Sequence, residues 1–241
     1  MPTGNEIVDR AVQAHGGEAR WRQVSALHTT WTFRGLMFKL RLRERALRRL
    51  SATISTREPR VEIAPFPHAG SSGLFSHGQV EVRSDQGPVA RLEEARASFG
   101  LGSLFWWNDF QMLYFAGYVL WNYSQLPFLL LQPGLAFTGA GTTVLGGETW
   151  DKVIVDFPAT MPTHSPRQTF YFGPDGMLRR HDYYVGIMSR FARGARYIQA
   201  YQDVDGLKLP SRIEMKLGTW GEHFLPLVSL GHVDFDGFTL R

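Results

Sequence analysis

The sequence predicts an α+β chain, mostly antiparallel β, with a helical segment inserted midway. Runs of strand length with alternating apolar and polar residues recur from Leu27 to Asp85 and again from Gly134 to the end. Turns that carry glycine, among them Gly173-Pro174-Asp175-Gly176 and Asp205-Gly206, divide the later run into hairpins. Between the two runs stands an aromatic-rich stretch, Ser103 to Gly134, with Phe110, Leu113, Tyr114, Gly117, Tyr118 and Trp121 at three- and four-residue steps. No linker-like segment interrupts the chain. Residues 1–241 therefore read as one domain with a helical insertion at about 92–132.

In chain order, residues 5–15 place Ile7, Val8, Ala11, Val12 and His15 on one helical face, and Gly16-Gly17 stop the helix. The carbonyl end of that helix is expected to favour a protonated His15, in a structural role. A short helical turn around Trp21 follows. Leu27–Gly35 and residues 37–50 read as strands, the second alternating Phe38, Leu40 and Leu42 against Lys39, Arg41 and Arg43. Strands are predicted at 53–58, 60–66 and 79–85. Residues 65–78, with His68 and His77, read as a flexible loop, and 92–100 as helical. Asn108 or Asp109 is placed to cap the central helix, and Leu126-Pro127 to break it before a second buried helix. Five or six strands are expected after Gly134.

Phe110 to Leu131 is long enough to span a bilayer, which takes about 20 apolar residues. Gln111, Asn122, Ser124, Gln125 and Pro127 lie within it, however, and a lone span leaves such groups unsatisfied. Burial is the favoured reading. The net charge is +4, carried almost wholly by arginine and spread along the chain, so nucleic-acid binding is not expected. The absence of cysteine excludes disulfides, thiolate metal sites and cysteine nucleophiles. The first residues contain no apolar core of a secretory signal, which points to a cytoplasmic protein.

Several of these features carry a family resemblance. They are a strand meander, an N-terminal helix ending in His15-Gly16-Gly17, helices inserted midway, and the segments FGPDGMLRRHDYYV and ARYIQAYQDVDGLKLPSRIEM. Together they resemble the LolA/LolB-like bacterial lipoprotein-carrier superfamily. The nearest likeness is to uncharacterised bacterial members that lack a signal peptide. It covers about residues 5–35 and 100–217. It implies a curved, unclosed β-barrel whose helical lid covers a hydrophobic cavity, and the partner it implies is a lipid or other hydrophobic small molecule. Periplasmic carriers of this group have signal peptides and this sequence shows none, so a role in lipoprotein traffic does not follow.

In such a cavity the expected ligand-binding residues are Trp106, Trp107, Phe110, Tyr114, Tyr118, Trp121 and Tyr123 from the lid, with Phe170, Phe172 and Arg179 from the sheet. Ordinary core packing is the competing role for each aromatic residue. The candidate catalytic residues are Asp109, a carboxylate among tryptophans, with His181 and Tyr183. On a strand Arg179, His181 and Tyr183 share one face, while Arg180, Asp182 and Tyr184 share the other. His181 and Asp182 therefore cannot orient one another, and Arg196 or Arg212 is the expected partner of an inward Asp182. His232, Asp234 and Asp236 share a strand face, where a solvent-facing role outweighs a metal site, and no cofactor is implied. The leading function is binding of a hydrophobic ligand, as carrier or chaperone. The alternative is a cyclase or isomerase acting on a polyketide or isoprenoid-like substrate in the same cavity. A peripheral membrane contact through Trp106 and Trp107 is a third.

Overall fold

Helix α1 (Gly4–Ala14) starts at Thr3, whose hydroxyl accepts from the Glu6 amide while the Glu6 carboxylate accepts from the Thr3 amide. Its apolar face, Ile7, Val8, Ala11 and Val12, is buried, and Gly16 and Gly17 end it with positive φ. This computed structural model describes residues 2–40, 43, 46–189, 191–218 and 224–241. Two single-turn helices, α2 (Glu18–Trp21) and α3 (Leu36–Lys39), flank β1 (Ala26–Arg34). A meander follows: β2 (Leu50–Ser55), β3 (Arg60–Ala64), β4 (Ser71–Ser76), β5 (Gln79–Ser84) and β6 (Gly87–Leu92). The insertion then carries two 3₁₀ turns, helix α4 (Asp109–Ser124) and a third 3₁₀ turn, Phe128–Leu131. A second meander runs through β7 (Ala136–Leu145), β8 (Glu148–Asp156), β9 (Arg167–Phe172), β10 (Leu178–Tyr184), β11 (Arg193–Val204), β12 (Leu207–Gly218) and β13 (Phe224–Leu240).

The 13 strands of the described residues form one antiparallel, unclosed sheet in the order β6-β5-β4-β3-β2-β1-β13-β12-β11-β10-β9-β8-β7. The two meanders meet where β1 pairs with β13, with Leu27 opposite Leu240 and Arg34 opposite His232. The sheet curls around α4. Strands β4 and β10 are seven places apart, about 33 Å in a flat sheet. Yet Tyr114 of α4 meets Phe75 on β4, and Tyr123, about 14 Å further along the helix, meets Tyr183 on β10. Only a curved sheet brings both strands to one helix.

From Gln111 to Ser124 every residue of α4 is buried, because the concave sheet and the insertion's turns enclose it on all sides. No described helix is long and apolar enough to cross a membrane. Gly117 lets α4 approach β4, since a methyl group there would overlap the Phe75 side chain. Alanine in place of an exposed helical glycine stabilises by about 1 kcal/mol. Here Gly117→Ala is expected to destabilise by about 1–3 kcal/mol through overpacking, read by urea denaturation. A gain in stability would show that α4 does not seat on β4.

Several local expectations are corrected. Residues 37–50 do not begin as a strand: α3 occupies Leu36–Lys39, Leu40 is exposed, and pairing starts at Leu50. Arg41 and Leu42, part of that expected alternation, lie outside the described residues. The glycine- and serine-rich 65–78 segment contains β4, whose Gly73 makes room for Leu113 of α4. The 92–100 segment is the end of β6 followed by a 3₁₀ turn at Ala95–Ser98, not an α-helix. A 3₁₀ turn, not a second helix, follows Pro127. Seven strands, not five or six, follow Gly134 among the described residues. Asp234 faces Arg34 at 2.5 Å and Arg212 at 2.8 Å, and His232 contacts Ser229 at 3.1 Å.

His15 corrects an electrostatic expectation. It is fully buried, its Nδ1 lies 2.7 Å from the Ala11 carbonyl, and its Nε2 lies 3.2 Å from the Tyr201 hydroxyl. Burial lowers its pKa to about 4, outweighing the Ala11 carbonyl that favours the charged form. Desolvation defeats the helix end.

Candidate functional site

Strand β10 divides two polar clusters. Alternation turns His181 and Tyr183 to the concave face and Arg180 and Asp182 to the opposite face, so neighbours in sequence serve different environments. A register shift between Leu178 and Arg180 breaks the alternation at Arg179. Its side chain, expected beside His181, instead meets Asp175 at 2.8 Å and Glu148 at 3.6 Å.

The concave cluster is built on α4. Asn108 caps the helix, its side-chain oxygen accepting from the Gln111 amide at 2.9 Å, which fixes where each later turn points. Tyr118 and Tyr123 reach His164, in the loop between β8 and β9, with their hydroxyls 3.0 Å from Nδ1 and 2.8 Å from Nε2. Tyr123 also meets the Tyr183 hydroxyl at 2.6 Å, so four side chains form one hydrogen-bonded row. The Tyr183 ring stacks on His164 at 3.9 Å, and Gly194 opposite leaves space for it, since a Cβ there would lie 2.9 Å from the ring. Burial lowers the pKa of His164 well below its ordinary value, with Arg196 and Arg96 adding to the effect. It pushes Tyr183 up to about 12 and holds Tyr118 and Tyr123 well above the ordinary tyrosine value. These groups are neutral at pH 7.

His181 stacks on Phe170 at 4.1 Å, and its Nε2 lies 2.5 Å from Gln168 Oε1. Gln168 Nε2 donates to the Ser165 carbonyl at 2.7 Å, which fixes Oε1 as the acceptor. His181 therefore carries its proton on Nε2 and presents a lone pair at Nδ1, which meets no donor among the described residues. Opposite it on β11 is Arg196, fully buried, with its guanidinium 4.0 Å above the Tyr123 ring. None of the three Arg196 guanidinium nitrogens has a hydrogen-bond acceptor among the described residues.

On the opposite face Arg180 grips Asp182 through Nε at 2.6 Å and Nη2 at 2.5 Å, and the Tyr171 hydroxyl donates to the same carboxylate at 3.1 Å. Asp182 accordingly pairs with Arg180, two residues away, and not with Arg196 or Arg212. Burial works against the Arg180 charge, yet Asp182 outweighs it and holds the guanidinium's pKa up. A cleft of about 640 Å³ opens beside this pair. Lys152, Arg167, Arg193 and Arg96 bring positive charge to its lining against the one carboxylate of Asp182. His164 and Tyr183 belong to that lining too. They are also two of the four members of the buried row, so the cleft ends directly on that row.

The structure brings together Tyr118, Tyr123, His181 and Tyr183 from the residues singled out in the sequence. Tyr114, Trp121, Phe170 and Phe172 are buried in the surrounding core, and Phe110 is half-buried at its margin. Trp107 is buried and donates to the Ser103 carbonyl at 2.7 Å, whereas Trp106 is largely exposed beneath the Arg43 guanidinium. Asp109 pairs with Arg43 on the surface side of α4, away from His181. Sequence reasoning missed His164, Gln168 and, as a functional group, Arg196. One signal was present: Gly194, Arg196 and Ile198 share a strand face that the pattern makes the inner one.

No family model matches the sequence, and no curated protein does. Solved structures do. A LolA superfamily protein from Nitrosomonas europaea is 12% identical over 100% of this chain and 94% of that one, with a TM-score of 0.56. A DUF1329 family protein from Desulfovibrio piger is 10% identical over 100% and 94% of the two chains, with a TM-score of 0.55. A putative outer membrane lipoprotein-sorting protein domain from Vibrio parahaemolyticus is 11% identical over 99% and 92%, with a TM-score of 0.56. At such identities the likeness carries architecture and nothing finer: this chain has the LolA-like fold, an open antiparallel sheet curled around a helical insertion.

Proposed function

We propose that this protein binds a lipid or other hydrophobic small molecule and acts as its carrier, with the ligand entering through the cleft and lodging among the aromatic side chains of α4. One observation carries the reading. The cleft ends on His164 and Tyr183, whose far sides belong to the aromatic interior, so a shift of a single layer joins a solvent-open mouth to an apolar core. The cleft volume of about 640 Å³ suits a ligand of drug or lipid-chain size. Each methylene moved from water into that interior contributes about 0.8 kcal/mol. The neighbour of the same fold from Vibrio parahaemolyticus is described as a putative outer membrane lipoprotein-sorting protein domain, which agrees with this reading at the level of fold.

The test is native mass spectrometry of freshly purified protein, followed by organic extraction and titration with the neutral dye N-phenyl-1-naphthylamine. A co-purifying apolar molecule, or saturable dye uptake by extracted protein, is expected. A clean apo mass together with no dye uptake overturns the reading.

A further inference from the structure

We propose that Arg196 is the recognition point for a carboxylate, so that the hydrophobic ligand is a single-chain carboxylic acid whose head reaches the Tyr123–Tyr183 layer; this rests on the reading above. Arg196 is fully buried, and all three of its guanidinium nitrogens lack an acceptor among the described residues. Buried charges are otherwise paired, because an isolated one loses its hydration and gains nothing in return. Tyr123 occupies the face of the guanidinium at 4.0 Å. A guanidinium stacked on its face still directs its N–H groups outward in its own plane, the geometry that meets a carboxylate side by side.

Charge balance narrows the class. Arg96 stands on the cleft side, where it donates to the His164 carbonyl at 3.2 Å. Deeper in, the groups around Arg196 are His164, His181, Tyr123, Tyr183 and Tyr201, all uncharged at neutral pH, so the inner cluster holds the one positive charge of Arg196. A monoanion neutralises it. A phosphate monoester, with nearly two negative charges, leaves an excess buried. The lone pair of His181 Nδ1, at the paired position on the next strand, also lacks a partner among the described residues. A carboxylate has no proton to donate, so the O–H that this nitrogen accepts is that of a water held beside the bound head. The way in is short: Tyr123, stacked on Arg196, is hydrogen-bonded to Tyr183, which lines the cleft.

The experiment displaces bound N-phenyl-1-naphthylamine from extracted protein with dodecanoate, 1-dodecanol and dodecyl phosphate. Dodecanoate is expected to compete at concentrations about tenfold or more below those of dodecanol, the gain from a hydrogen bond to a charged group. The advantage is expected to vanish in Arg196→Met. Equal potency of acid and alcohol in the native protein, or tighter binding of dodecyl phosphate, overturns the carboxylate assignment while the dye still reports a hydrophobic site. Failure of the dye to bind at all overturns the underlying reading instead. The native-protein comparison stands even if the variant does not fold. Should the variant fold and keep the preference, the acid is held elsewhere and Arg196 is not its partner.

Discussion

Taking the protein from pH 7 to pH 4 is expected to remove several kcal/mol of folding stability, with most of the loss between pH 6.5 and 4. Three imidazoles, those of His15, His164 and His181, are buried in the neutral form, and burial is the main cause of each lowered pKa. In the unfolded chain each titrates near its ordinary value of about 6.5. Below that pH the unfolded state binds protons that the folded state refuses, so stability falls as pH falls. For His15, with a folded pKa of about 4, the loss amounts to about 3 kcal/mol once pH has dropped through that value. His164 and His181 act in the same direction, and the arginine beside them strengthens the effect. Asp182, which burial holds above the ordinary carboxylate value, works in the opposite sense at the acid end of the range. Urea denaturation at a series of pH values reads the sum. A midpoint that stays level from pH 7 to 4.5 would show that these imidazoles are already hydrated in the folded protein.

Asp182→Ala is the single substitution expected to be most damaging to the sheet. It leaves the Arg180 guanidinium 1% exposed without its bidentate acceptor, between the Tyr171 and Tyr197 rings at 4.5 and 5.6 Å. Breaking a buried pair from one side typically costs about 3–5 kcal/mol, since the surviving charge loses its counter-charge without regaining water. Replacing both members, as Arg180→Met with Asp182→Leu, is expected to recover most of that loss. Chemical denaturation of the two single variants and the double variant closes the cycle. A loss below about 1 kcal/mol in Asp182→Ala would place the pair in the class of solvent-exposed ion pairs.

The sequence made the hairpins plain because their signals are local. Gly173–Gly176 and Asp205-Gly206 dictate a turn whatever surrounds them, and Asn108 with Gln111 marks a helix start on four residues alone. Period-two reading also placed His181 and Asp182 on opposite faces. It failed at Arg179, since a bulge is set by the partner strand's register and not by the residues that bulge. It failed again at Ser71–Ser76, whose small residues look like a loop but serve as a strand under α4. The central cluster was the least legible part. His164 is 41 residues from Tyr123, and Arg196 is drawn to that tyrosine by the curl of the sheet, so no spacing in the chain announces their meeting.

The junction of β1 with β13 carries a consequence for how the chain reaches this fold. Every other neighbouring pair of strands in the sheet except this one is consecutive in the chain, so each meander assembles from contacts close in sequence. The β1–β13 seam alone joins strands from the two ends of the described chain, with partners 198 to 213 positions apart, as Arg34 with His232 and Leu27 with Leu240. Its entropic cost of closure is charged once, and it falls steeply if both meanders already stand. Folding therefore divides into two quick local searches and one slow encounter, and the seam is the place where an incompletely folded chain would present two unpaired strand edges to its neighbours.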